Sequence, residues 1–201
     1  MKKLPFGFVF CVVFFFALWV SAMDSAAAEA LSGKLIRLHV LAASDSEADQ
    51  QMKLRVRDSV LELAAPALRA CETRSEAASV LMPLLPEIEA AAERTLRSLG
   101  SGESVTAQLS EERYPIREYE TFALPAGSYE SLRVRIGSGE GHNWWCVVFP
   151  PLCLSAAEED GAADEAWEAF SPGEQRLISG PGRIIRFKAL EWWQRLKRLI
   201  G

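Results

Sequence analysis

The chain has 201 residues, 49% of them hydrophobic and 24% charged, with 22 basic against 27 acidic side chains and a net charge of −5. Such a chain is one ordinary domain with appendages, apolar enough to bury a core and neither disordered nor collagen-like. The acidic balance argues against nucleic acid as a partner, and two histidines without a CxxC pair or an HExxH string point to no metal and no cofactor.

In chain order, Lys2 and Lys3 precede an uncharged apolar run from Leu4 to Val20, followed by the small residues Ser25-Ala26-Ala27-Ala28. Residues 1–28 read as a signal peptide or membrane anchor, with an A-x-A-like cleavage site after Ala28. The run of about 17 residues stands at the lower limit of the roughly 17–25 that span a bilayer, so cleavage and anchoring both stay open. Either way, the two lysines remain inside and the body is delivered outside the cytoplasm.

Residues 33–154 form the domain proper. From Gly33 to Ser44 the chain reads as a strand whose Ile36, Leu38 and Val40 make one fully apolar face, while Arg37 and His39 share the mixed face. Ser46 with Asp49 three residues on resembles a capping box, predicting a helix from about Glu47 to Ala65 that stops near Pro66. Its expected buried face is Ala48, Met52, Val56, Ser59 or Val60, and Leu63. Helix is expected again from about Ser75 to Leu99, split in two by Pro83 and Pro86 and ended at Gly100. A weak strand follows at Ser104 to Leu109, then an ordered loop from Tyr114 to Ala126. Ser128 to Ile136 alternates cleanly, and a glycine-rich turn returns the chain as a strand from Asn143 to Phe149, ended by Pro150-Pro151. The order predicts an α+β fold: a small, mostly antiparallel sheet of about four strands, with helices covering one face.

Residues 155–182 read as an acidic linker, in which Ser171-Pro172-Gly173 and Gly180-Pro181-Gly182 act as punctuation. Residues 183–201 read as a basic amphipathic C-terminal helix carrying Trp192 and Trp193. It suits peripheral membrane contact and packing on the domain equally.

The string from Gly141 to Cys153 is the least ordinary stretch. Alternation puts Trp145, Val147 and Phe149 on one face and Trp144, Cys146 and Val148 on the other, so both faces are apolar. Such a strand is either central and covered on both sides, or it exposes an interface. A Cys146–Cys153 disulfide is physically reasonable in an oxidising compartment, with Cys71 competing for either partner. Cys146 as a nucleophile, with His142 or His39 as base, would make the chain an exported cysteine-dependent or cell-wall-acting enzyme. Bulky apolar neighbours mid-strand would leave that thiol inert, so no catalytic residue is assigned.

Three segments carry a family resemblance: Ile36 to Ser46 with its continuation to Val60, Pro125-Ala126-Gly127-Ser128-Tyr129-Glu130, and above all Gly139 to Cys153. Over about residues 34–153 the chain resembles the stage II sporulation protein R family of endospore-forming bacteria. Ala43 stands where the family usually has asparagine. The resemblance implies a non-enzymatic signal, secreted across the forespore membrane into the intermembrane space. There it activates a membrane-embedded aspartic protease that cleaves the precursor of sporulation sigma factor E. Asn143, Trp144, Trp145 and Phe149 are the first candidates for contact with that receptor, since large aromatics at the centre of a patch carry much of the binding energy. His39, Arg37 and Asp45 form a secondary patch.

Overall fold

The computed structural model describes residues 26–119, 122–152, 167–168, 170–179, 188 and 192. Residues 1–25 of the expected signal or anchor segment, Cys153 and most of the acidic and basic tail lie outside them. The chain forms two compact units, the larger made of residues 32–113 and 128–170.

A short helix over residues 26–32 (α1), which belongs to the smaller unit as far as Leu31, comes first in the chain; the larger unit then opens on β1 (Ile36–Leu41), followed by α2 (Glu47–Leu68) and α3 (Arg74–Ser98). Then come β2 (Val105–Tyr114), β5 (Gly127–Ile136) and β6 (Asn143–Phe149), with β3 (Arg117–Glu118) and β4 (Ala123–Leu124) lying between β2 and β5 in sequence. The sheet order is β2-β5-β1-β6. β1 runs parallel to β5 and antiparallel to β6. The Gly137 N–H donates to the Ser104 carbonyl at 2.8 Å and Arg135 approaches Thr106, so the end of β5 lies beside the start of β2 and that pair is antiparallel. The fold is therefore α+β with a mostly antiparallel four-stranded sheet, as the element order predicts.

The core lies between the sheet and the two long helices. Ile36, Leu38 and Val40 of β1 and Leu132, Val134 and Ile136 of β5 meet Val56, Val60, Ala64 and Leu68 of α2, together with Leu81, Ile88, Ala92 and Leu96 of α3. Truncating any of the large aliphatic residues here to alanine removes about 2–5 kcal/mol of stability. The helix starts follow the sequence closely. Ser46 accepts the Asp49 N–H, Thr73 accepts the Glu76 N–H, and Gly100 at φ +83° ends α3.

Several expectations are corrected. α2 continues through Pro66 to Leu68, and α3 is one helix despite Pro83 and Pro86. All three prolines lie on exposed faces, so the carbonyls they leave unbonded meet water, while buried Leu68, Leu81 and Ile88 hold the axis against the core. The α2 face is also rotated: Ala48 is exposed and Lys53 is buried.

The smaller unit holds the β3–β4 hairpin, within the segment expected to be a loop, and α4 (Pro172–Ser179), within the expected linker. Ser171 caps α4: its N–H and hydroxyl both reach the Glu174 carboxylate, and Pro172 suits the first helical position. Ala28, Ala123 and Leu177 make its small core. Among the described residues no helix is long and apolar enough to cross a membrane.

Candidate functional site

β6 is an edge strand, pairing with β1 alone in the four-stranded sheet, so the central, doubly covered placement does not apply. Its register is Asn143 opposite Leu41, Trp144 opposite Val40, Trp145 opposite His39 and Cys146 opposite Leu38. Facing residues in a ladder share a sheet face, so Trp144 and Cys146 lie on the helix side. Asn143 and Trp145 lie on the opposite side with His39. A bulge then shifts the pairing: Val147 faces Arg37, but Phe149 faces Ile36. The extra residue turns Phe149 into the helix-side core, where it is 6% exposed, and separates it from Trp145. The sequence could not show this, because a bulge breaks the period of two.

Exposure along β6 falls from Asn143 and Trp144, which are exposed, to Cys146 and the residues after it, which are buried. The surface is therefore the strand's first half, at the end of the sheet where β1 finishes. Trp144 is 36% exposed, and its ring carries the Arg57 guanidinium at 4.5 Å. Arg57 is oriented in turn by Asp58, 2.6 Å away. The tryptophan thus presents one side while a cation from α2 braces the other.

On the sheet face opposite α2 and α3, His39 is gripped at both ring nitrogens. Nδ1 faces the Glu112 carboxylate at 3.1 Å and Nε2 faces the Asn143 amide oxygen at 2.9 Å. Arg133 approaches the same carboxylate at 3.5 Å, and the Trp145 ring lies 5.8 Å from the imidazole. His39 is only 12% exposed at its side chain, so its place is beneath Asn143 and Trp145 as their support. Arg37 lies farther along the same face, fully buried and stacked on Tyr129 at 4.9 Å. Burial removes Arg37 and Phe149 from any first-contact surface.

Asp45 lies between these faces. Its carboxylate accepts the His142 N–H at 2.6 Å and bonds the His142 ring, which holds the Asp45 carboxyl below the usual carboxylate range. Lys53 reaches from α2 to the His142 carbonyl at 2.9 Å, and burial pushes its ammonium pKa down. Gly141 completes the approach: its N–H donates to Ala42, and a Cβ there would run into the Ser44 carbonyl.

Among the sequence candidates, the structure gathers Asn143, Trp144, Trp145, His39 and Asp45 at one end of the sheet. Sequence reasoning missed Lys53, Arg57, Glu112 and Arg133. Lys53 and Arg57 read as wet-side charges of the helix and Arg133 as outward on its strand; the spacing of Lys53 from Val56 and Val60 was the available signal for its burial. Cys146 is disulfide-bonded and Cys71 is a free thiol. The partner expected for Cys146, Cys153, lies outside the described residues. Among the described residues no cluster of His, Cys, Asp and Glu could hold a metal ion.

Residues 32–159 match the family model for stage II sporulation protein R. The stage II sporulation protein R of Bacillus subtilis (strain 168) is 40% identical over 119 residues, which is 59% of this chain and 53% of that protein. The chain thus spans about half the length of this curated relative. No solved structure matches it.

Proposed function

Because the chain belongs to the stage II sporulation protein R family, we propose that it is a secreted signal of sporulation that activates a membrane-embedded aspartic protease and so leads to cleavage of the sigma factor E precursor. It passes from the forespore into the intermembrane space and acts there as a ligand, with catalysis belonging to the receptor. The observation that carries this reading is the family match over residues 32–159, which includes the whole of β6 and its exposed tryptophan end. The geometry supports a docking role for that end: an aromatic side chain braced by a cation, beside an amide held in place from beneath, is a preformed anchor. The alternative, an exported cysteine-dependent enzyme, loses its nucleophile, since a bridged sulfur carries no thiolate.

The test is a reconstituted processing assay in a non-sporulating host that expresses the protease and the sigma-factor precursor, with this protein supplied or withheld. Processing should require the protein. Trp144→Ala should abolish it without lowering the unfolding midpoint appreciably. Trp145→Ala should weaken it while also loosening the His39 network. Precursor cleavage indifferent to a confirmed exported protein sinks the reading. Full activity in Trp144→Ala instead moves the contact surface elsewhere.

A further inference from the structure

The His142 peptide groups are bonded by side chains and not by the sheet ladder. Its N–H is taken by Asp45 from the β1–α2 loop, and its carbonyl by Lys53 from α2. Lys53 is 5% exposed and also donates to the Gln50 amide oxygen at 2.6 Å, while Gln50 itself donates to the Ser44 carbonyl at 2.9 Å. Ser138 in the same β5–β6 loop donates to the Ala43 carbonyl at 2.9 Å. Lysine is rarely buried without a carboxylate partner, because its desolvation is costly. Here the acceptors are a backbone carbonyl and an amide. A well-packed apolar residue at Lys53 would serve the core better, so the ammonium has a use at the β5–β6 loop itself.

From this clamp we infer that Lys53 and Asp45 are positioning residues: together they fix the backbone of His142, and through it the direction in which Asn143 and Trp144 leave the β5–β6 loop. The inference rests on the tryptophan end being the receptor-contacting surface, and it turns Asp45 from a contact into a support. Neither residue needs to touch the receptor. Lys53 is too buried to do so, and the Asp45 carboxylate is engaged by His142. The His142 ring, 79% exposed at its side chain, is not the element being positioned.

The test uses the full chain labelled with 5-fluorotryptophan, with the Trp144 fluorine resonance assigned through Trp144→Phe. Lys53→Met keeps the length and removes the ammonium; Asp45→Ala removes the acceptor. Each should shift or broaden the Trp144 resonance, leave the Trp167 resonance and the helical circular dichroism in place, and lower precursor processing by about five- to tenfold, the size expected from a residue acting without contact. His142→Ala keeps both backbone bonds and should retain the resonance and the processing. The inference is overturned if Lys53→Met and Asp45→Ala leave Trp144 unmoved, or if His142→Ala is as damaging as either. Should Lys53→Met fail to fold, Asp45→Ala alone decides, since that side chain is exposed. Failure of the docking reading is separable: it appears as an active Trp144→Ala, whereas the fluorine spectrum judges the positioning by itself.

Discussion

Asp45 is the residue at which pH should act on the site. Its hydrogen bonds from His142 lower its folded pKa, with the Lys53 charge a smaller contribution in the same direction. A carboxyl depressed on folding stabilises the native arrangement fully above its unfolded value, about 4, and loses that contribution as pH falls through the folded value. The clamp on the β5–β6 loop should therefore be intact at neutral pH and release only in the strongly acid range. Following the His142 amide by NMR between pH 6 and pH 2 should show its shift and exchange protection collapsing below about pH 4, and Asp45→Asn should flatten that profile. A collapse already complete at pH 6 would contradict the assignment. Trp144 is braced differently, by a guanidinium over its ring. Arg57→Leu should cost no more than about 1 kcal/mol in denaturant unfolding. It should nevertheless reduce processing measurably, because the ring loses its backing.

At the scale of the element, α3 contains two interior prolines and still runs unbroken from Arg74 to Ser98. Proline inside a helix is about 3 kcal/mol worse than alanine, and at Pro86 nothing buried depends on the ring. Pro86→Ala should raise the unfolding free energy by about 1–3 kcal/mol, the lower end reflecting the greater freedom that alanine gives the unfolded chain. An unchanged or lowered midpoint in calorimetry would mean that the Pro86 ring itself contributes to the stability of α3. This helix also shows what local signals carry and where they stop. Ser46 and Gly100 mark the start of α2 and the end of α3 because capping is decided within four residues. The fate of Pro83 and Pro86 depends on which face meets solvent, which only the packed core determines. The site divides in the same way. Asn143-Trp144-Trp145 is visible as a string, but Lys53 meets the His142 carbonyl across 89 positions and His39 meets Glu112 across 73. Such pairings follow from sheet order and register, to which alternation is blind, and the bulge before Phe149 defeats alternation altogether.

For the whole molecule, the disulfide at Cys146 ties the fold to redox conditions, and it suits the exported role proposed above. Cys146 lies at 2% exposure beside Val148 in the helix-side core, directly after the two tryptophans, so the bridge fastens the inner half of the strand whose outer half is the proposed contact surface. A protein made in the cytoplasm meets a reducing pool that disfavours such a bond, and an exported one does not. Reduction should therefore lower stability by about 2–4 kcal/mol and loosen the tryptophan end before the rest of the sheet, which is also held by the β1–β5 pairing. Cys71 offers an internal contrast. Burial and the nearby Glu76 charge push its thiol pKa up, so it should react slowly with iodoacetamide at neutral pH even though it is free. Mass spectrometry of the exported protein should find the Cys146 peptide alkylated only after reductant is added. The Cys71 peptide should be alkylated without reductant, faster as pH rises. Prompt labelling of Cys146 in the untreated protein would mean an open bridge, and would return that sulfur to consideration as a reactive group.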